Sequence, residues 1–147
     1  MNLTSIAKVT RVKNAAAAGN SDTLLSDVID MQGFTSVTFA VLLGSISGNS
    51  SAAATVYGKQ SSDNNSFSAL ANTGVDIGGG DDNKVVMLEI VNPSERYVKC
   101  AVERSNAAET AIDGIIAIQT GGYVEAVTQS STVLSSLVFA SPAEGAV

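Results

Sequence analysis

The stretch that decides the fold is GFTSVTFAVLLG, Gly33–Gly44. Taken two by two, Val37, Phe39, Val41 and Leu43 fall on one side and Thr38, Ala40 and Leu42 on the other. β-branched and aromatic residues fit a pleated surface, so this is a strand. Because both of its sides are largely apolar, the reading predicts a central strand covered on both faces.

Working outward, strand signals recur at short spacing, and proline occurs only at Pro93 and Pro142. Before the deciding stretch, SIAKVTRV (5–12) alternates with mixed faces, AAAAGNS (15–21) reads as a break, and TLLSDVIDM (23–31) reads as a strand in preference to one helical turn. After it, AAATVYGKQ (52–60) is a strand, FSALANTG (67–74) a short edge segment, and VDIGGGDDN (75–83) a long loop. In KVVMLEIVNPSERYVKCAVERS (84–105), Val86, Leu88 and Ile90 share a side, as do Val98, Cys100 and Val102. The five-residue connection NPSER, with Asn92 opening a turn before Pro93, predicts a hairpin there. AIDGIIAIQTGGY (111–123) is the last core strand. The expectation is an all-β chain, a single β-sandwich or jelly-roll-like domain of about seven or eight strands with extended N- and C-terminal arms. Its divisions are an N-terminal strand or arm (1–20), a sandwich body (21–122) and a C-terminal docking arm (123–147).

Of the 147 residues, 45% are hydrophobic and only 15% charged. A typical soluble domain carries roughly 25% charged residues, so this surface is built instead from Ser, Thr, Asn and Gly. That suits a subunit packed against other protein. The net charge of −6 argues against phosphate neutralisation, and no nucleic-acid partner is expected. Lys8, Arg11 and Lys13 cluster ahead of Asp22, Asp27 and Asp30, which predicts charge pairing of an N-terminal strand with its neighbour or with a neighbouring subunit. No stretch approaches a membrane span, and the N-terminus shows no secretory signal, so synthesis in a reducing cytoplasm is expected.

Candidate chemistry is sparse. Histidine is absent, which removes Ser-His-Asp and Cys-His machinery and the commonest metal ligand. The single cysteine, Cys100, lies in an apolar alternation and reads as a buried thiol. Ser5–Lys8 and Ser62–Asn64 match Ser-x-x-Lys and Ser-Asp-Asn, but the Lys-Thr-Gly that completes the penicillin-binding set is missing. Asp81 and Asp82 follow three glycines without the repeats or the spacing of a calcium site. Tryptophan is absent and aromatics are 5%, which disfavours sugar platforms and base stacking. The reading is therefore of no enzyme, no cofactor and no metal.

The ending TVLSSLVFASPAEGAV (132–147) poses the functional question. It carries one charge, Glu144, among Val133, Leu134, Leu137, Val138 and Phe139. Burying these side chains does not by itself offset the entropy of ordering the tail. The backbone must also find hydrogen bonds, at a sheet edge or in a groove, on its own sandwich or on a neighbour. An extended tail is expected, with Pro142 ending any strand pairing. Arm contacts are expected from Ile6, Val9, Val133, Leu134, Leu137, Val138 and Phe139.

Three stretches together, DMQGFTSVTFAVLLGSI (30–46), RYVKCAVER (96–104) and ASPAEGAV (140–147), resemble a group of small tailed-bacteriophage virion proteins. That group has an apolar GF.SVTF strand, a RYV return strand and a tail closing on Ser-Pro-Ala-Glu-Gly. The resemblance spans most of the chain and implies a β-sandwich structural protein, often a capsid decoration (cement) subunit or similar head component. It implies no catalytic residue. The expected place is the capsid exterior of the virion. The expected partners are the major capsid protein and sibling subunits, as a trimer ahead of a dimer. The alternatives are a tail, collar or connector component, or a surface adhesion or carbohydrate-binding module.

Overall fold

The computed structural model describes residues 2–48, 51–105, 108–123, 126–141 and 143–145. Among them one helical turn, α1 (Leu3–Ile6), precedes eleven strand segments. These are β1 (Lys8–Lys13), β2 (Ala16–Gly19), β3 (Thr23–Leu25), β4 (Ile29–Asp30), β5 (Ser36–Ile46), β6 (Ala54–Ser61), β7 (Ser68–Ala69), β8 (Val75–Ile77), β9 (Val85–Val91), β10 (Tyr97–Arg104) and β11 (Thr110–Thr120).

The first sheet runs β1-β11-β5-β9, with β2 also on β11. The second runs β3-β10-β6-β7, with β4 also on β10 and β8 on β6. Each described ladder is antiparallel. The pairs β1/β2, β3/β4 and β7/β8 each lie end to end along one partner, so each acts as one interrupted strand. Counted that way, eight strands fall in the orders 1-8-3-6 and 2-7-4-5, which is the jelly roll. The all-β sandwich legible in the sequence is the fold. The AAAAG stretch is not a break: it is β2, continuing the edge begun by β1. Gly114, at φ +147, marks the irregularity in β11 between the two, and a Cβ there would meet the Lys13 carbonyl at 3.1 Å.

The core lies between the sheets. Val37, Phe39, Val41 and Leu43 of β5 and Ile115 of β11 face Val56 of β6 and Val98, Cys100 and Val102 of β10. Here the expected hairpin is overturned, because β9 belongs to the first sheet and β10 to the second. NPSER hands the chain across the sandwich. Alternation shows that both strands face the core, but two core-facing strands can be neighbours in a sheet or face each other across layers. Asn92, at φ +48, starts the crossing and donates its N–H to the Thr35 carbonyl at 2.7 Å.

The two layers are also clasped by Arg104, which is 8% exposed. Its guanidinium donates two bonds of 2.5 Å to the Asp22 carboxylate, and others of 2.7 and 2.9 Å to the carbonyls of Ala17 and Thr110. It thus ties β10 to both β2 and β11. Asp30 is held by Arg96 through bonds of 2.8 and 2.7 Å. The partners expected for these aspartates, Lys8, Arg11 and Lys13, form none of the ion pairs among the described residues. Within the chain the sheet order places β10, not β1, beside β3 and β4, so Arg96 and Arg104 take these aspartates, and Lys8 acts on Asp30 only through its charge.

Candidate interaction surface

β1 is an edge strand, so alternate backbone groups point away from β11 and need partners. The start of the C-terminal tail supplies them with side chains. Gln129 accepts the Val9 N–H at 2.9 Å and donates to the carbonyls of Thr4 and Ala7 at 2.9 and 2.6 Å. Thr132 accepts the Arg11 N–H at 2.9 Å, and the Val127 N–H donates to the Ser5 carbonyl at 3.0 Å. A turn closed by Val133 N–H to the Ser130 carbonyl, 3.0 Å, ends this anchored stretch. The edge is capped in cis by an irregular segment, not by an added strand.

The seven residues expected to make arm contacts fall into two sets. Ile6, Val9 and Val133 are half-buried around the anchored stretch. Leu134, Leu137, Val138 and Phe139 are exposed, at 102, 69, 57 and 74%. Pro142 lies outside the described residues. Sequence reasoning missed Gln129 and Thr132, which are polar residues in a tail noticed for its apolar ones.

The second face of β5 carries the other surprise. Register places Val9, Ile118, Thr38 and Glu89 in one row across the first sheet, and Arg11, Ile116, Ala40 and Met87 in the next. This face points away from the core. The expectation that β5 is central is correct, but the cover expected on this face is not present among the described residues: Thr38, Ala40 and Leu42 are only half-buried. Met87, Val85 and Val91 of β9 are 63, 53 and 61% exposed on the same side. A groove of about 360 Å³ opens there between Val9, Leu42, Ile116 and Val133, with Arg11 and Asp113 at its rim.

The groups considered for chemistry are in structural use. Burial pushes the Cys100 thiol up to about 12, which keeps it protonated and inert. Asp81 accepts the Gly78 N–H at 2.8 Å and the Lys84 ammonium at 2.7 Å, and Asp82 accepts the Ile46 N–H at 2.6 Å. Asp63 is brought down to about 2 by the Ser66 N–H, the Ser61 hydroxyl and the Asn65 N–H, the bonds of a tight turn. The Ser5 hydroxyl donates to the Asn2 carbonyl at 2.8 Å. Among the described residues no helix is long and apolar enough to cross a membrane.

Fold and surface define a jelly-roll domain with one capped edge, one uncovered apolar face and an exposed apolar tail. No family model and no curated protein matches the chain. Among solved structures it is similar to the crystal structure of PBSX exported protein XepA, with TM-score 0.53 and 16% identity, over 95% of this chain and 45% of that one. The chain thus spans less than half of XepA, and the likeness is one of fold.

Proposed function

We propose that this protein is a non-enzymatic structural subunit of a tailed-phage virion, a decoration (cement) protein bound to the outside of the head. The observation that carries this reading is the apolar outer face of the first sheet, over which no third layer lies among the described residues. A contiguous apolar patch on a weakly charged surface is what a protein-protein contact requires. The jelly roll, a frequent architecture of viral capsid domains, the fold likeness to XepA and the resemblance of GFTSVTF, RYV and SPAEG to virion proteins support it. The shell partner is the major capsid protein, met through the face of Ile116, Ile118 and Leu42.

The test is co-sedimentation with bare capsids, comparing the native chain with Ile118→Glu. Ile118 is half-buried and faces away from the core, so the variant is expected to keep its fold, which circular dichroism checks. Binding by the native chain and its loss in Ile118→Glu are expected. Failure of the native chain to bind overturns the reading, as does unchanged binding by the variant. Cross-links in intact particles that reach only tail, collar or connector proteins would move the subunit to that part of the virion.

A further inference from the structure

A sheet edge is a template for another strand unless it is short, charged, bulged or covered. In the second sheet both edges are made of two- and three-residue segments, β3/β4 and β7/β8. In the first sheet the β1 edge is capped by Gln129 and Thr132. β9 is different. It runs seven residues in unbroken register with β5, and among the described residues nothing pairs with its other side. It contains no proline, and its one charge, Glu89, is held by the Ser36 hydroxyl at 2.7 Å.

The flanking bonds, Leu43 N–H to Lys84 carbonyl and Asn92 N–H to Thr35 carbonyl, fix which way β9 bonds. Val86, Leu88 and Ile90 turn their amides to β5. Val85, Met87, Glu89 and Val91 turn theirs outward. Gly58 of β6 leaves the space that Ile90 occupies, since a Cβ there would lie 2.7 Å from the Ile90 Cδ1.

The same chain holds an unpartnered segment suited to this edge. Leu134–Phe139 is uncharged, and its alternation puts Leu134 and Val138 on one side and Leu137 and Phe139 on the other. We infer that Leu134–Phe139 of one copy adds as a strand to the open β9 edge of a second copy. Leu134 and Val138 then lie beside Met87, and Leu137 and Phe139 close the seam over Ile90.

A copy cannot do this to itself. Thr132 is fixed outside the edge of β1, and a strand added to the open side of β9 would lie five strand spacings away, about 24 Å. Even a fully extended chain needs about seven residues to cover that, which runs through Phe139 and leaves none of the segment to pair. Leu134, at 102% exposure, does not start across the face in any case. The inference concerns contacts between siblings, so it is tested without capsids and can fail or stand independently of shell binding.

Light scattering on the full chain, in solution, should give a multiple of the protomer mass. Met87→Pro removes an outward-facing N–H without touching the β5 ladder and should give a monomer. Val138→Pro in the tail and truncation after Val133 should do the same. Amide exchange at Val85, Met87, Glu89 and Val91 should be about tenfold or more slower in the full chain than in the truncated one. A monomeric full chain overturns the inference, and so does an oligomer that survives Met87→Pro. Should Met87→Pro fail to fold, Met87→Lys and Val138→Pro decide it in the same assay.

Discussion

Gln129→Ala is the most informative perturbation of the capped edge. One side chain there makes three hydrogen bonds, to the Val9 N–H and to the carbonyls of Thr4 and Ala7. A net contribution of about 0.5–1.5 kcal/mol per bond sets an upper range near 4 kcal/mol. Gln129 is only half-buried, so water reaches the freed groups and the lower part of that range applies, about 1–2 kcal/mol. The loss is local, because β1 stays paired with β11 from Lys8 to Lys13. Native-state amide exchange reads it directly: Val9 should exchange about 5–30 times faster in the variant. Val37 and Phe39, deep in β5, should keep their rates. Unchanged exchange at Val9 would refute the cap. An equal acceleration at Val37 would show that the tail supports the whole domain rather than one edge.

Asp22→Ala should lower stability by about 2 kcal/mol in urea unfolding. That is less than the 3–5 kcal/mol of a fully buried pair, because the Asp22 side chain is 46% exposed while Arg104 is buried. Acid should destabilise the fold in a defined window. Arg104 beside Asp22 and Arg96 beside Asp30 hold those carboxyls below their ordinary value of 3.8, and turn amides bring Asp63 to about 2. A carboxyl depressed in the folded state contributes stability above its unfolded pKa and loses it as pH falls through the folded one. Unfolding midpoints should therefore stay flat near neutrality and drop below about pH 4. Cys100, fully buried with its thiol raised to about 12, should resist thiol reagents in the native protein and react at once in denaturant.

The deciding stretch was legible because alternation is local: Val37, Phe39, Val41 and Leu43 face the core as their spacing requires. What alternation could not carry was the pairing of distant strands. Leu88 and Val98 both point inward, yet they belong to opposite sheets, and the same pattern fits a hairpin equally well. Ala16–Gly19 looked like a break because alanine and glycine are poor strand formers, whereas tertiary pairing with β11 makes them a strand. In the tail, hydrophobicity marked Leu134–Phe139, the residues left exposed. The anchors Gln129 and Thr132 gave no signal, since a side chain that caps a backbone amide needs only a polar atom at the right place. The apolar second face of β5 was visible in the sequence, and its lack of a covering layer is what the fold adds.

The most direct measurement is cryo-electron microscopy of bare capsids incubated with the protein. The account predicts this domain on the outer shell with its Ile116–Ile118 face against the capsid. It also predicts Leu134–Phe139 as an extra strand beside β9 of the adjoining copy. Undecorated shells, or domains bound with that face in solvent and each tail folded onto its own copy, would contradict it.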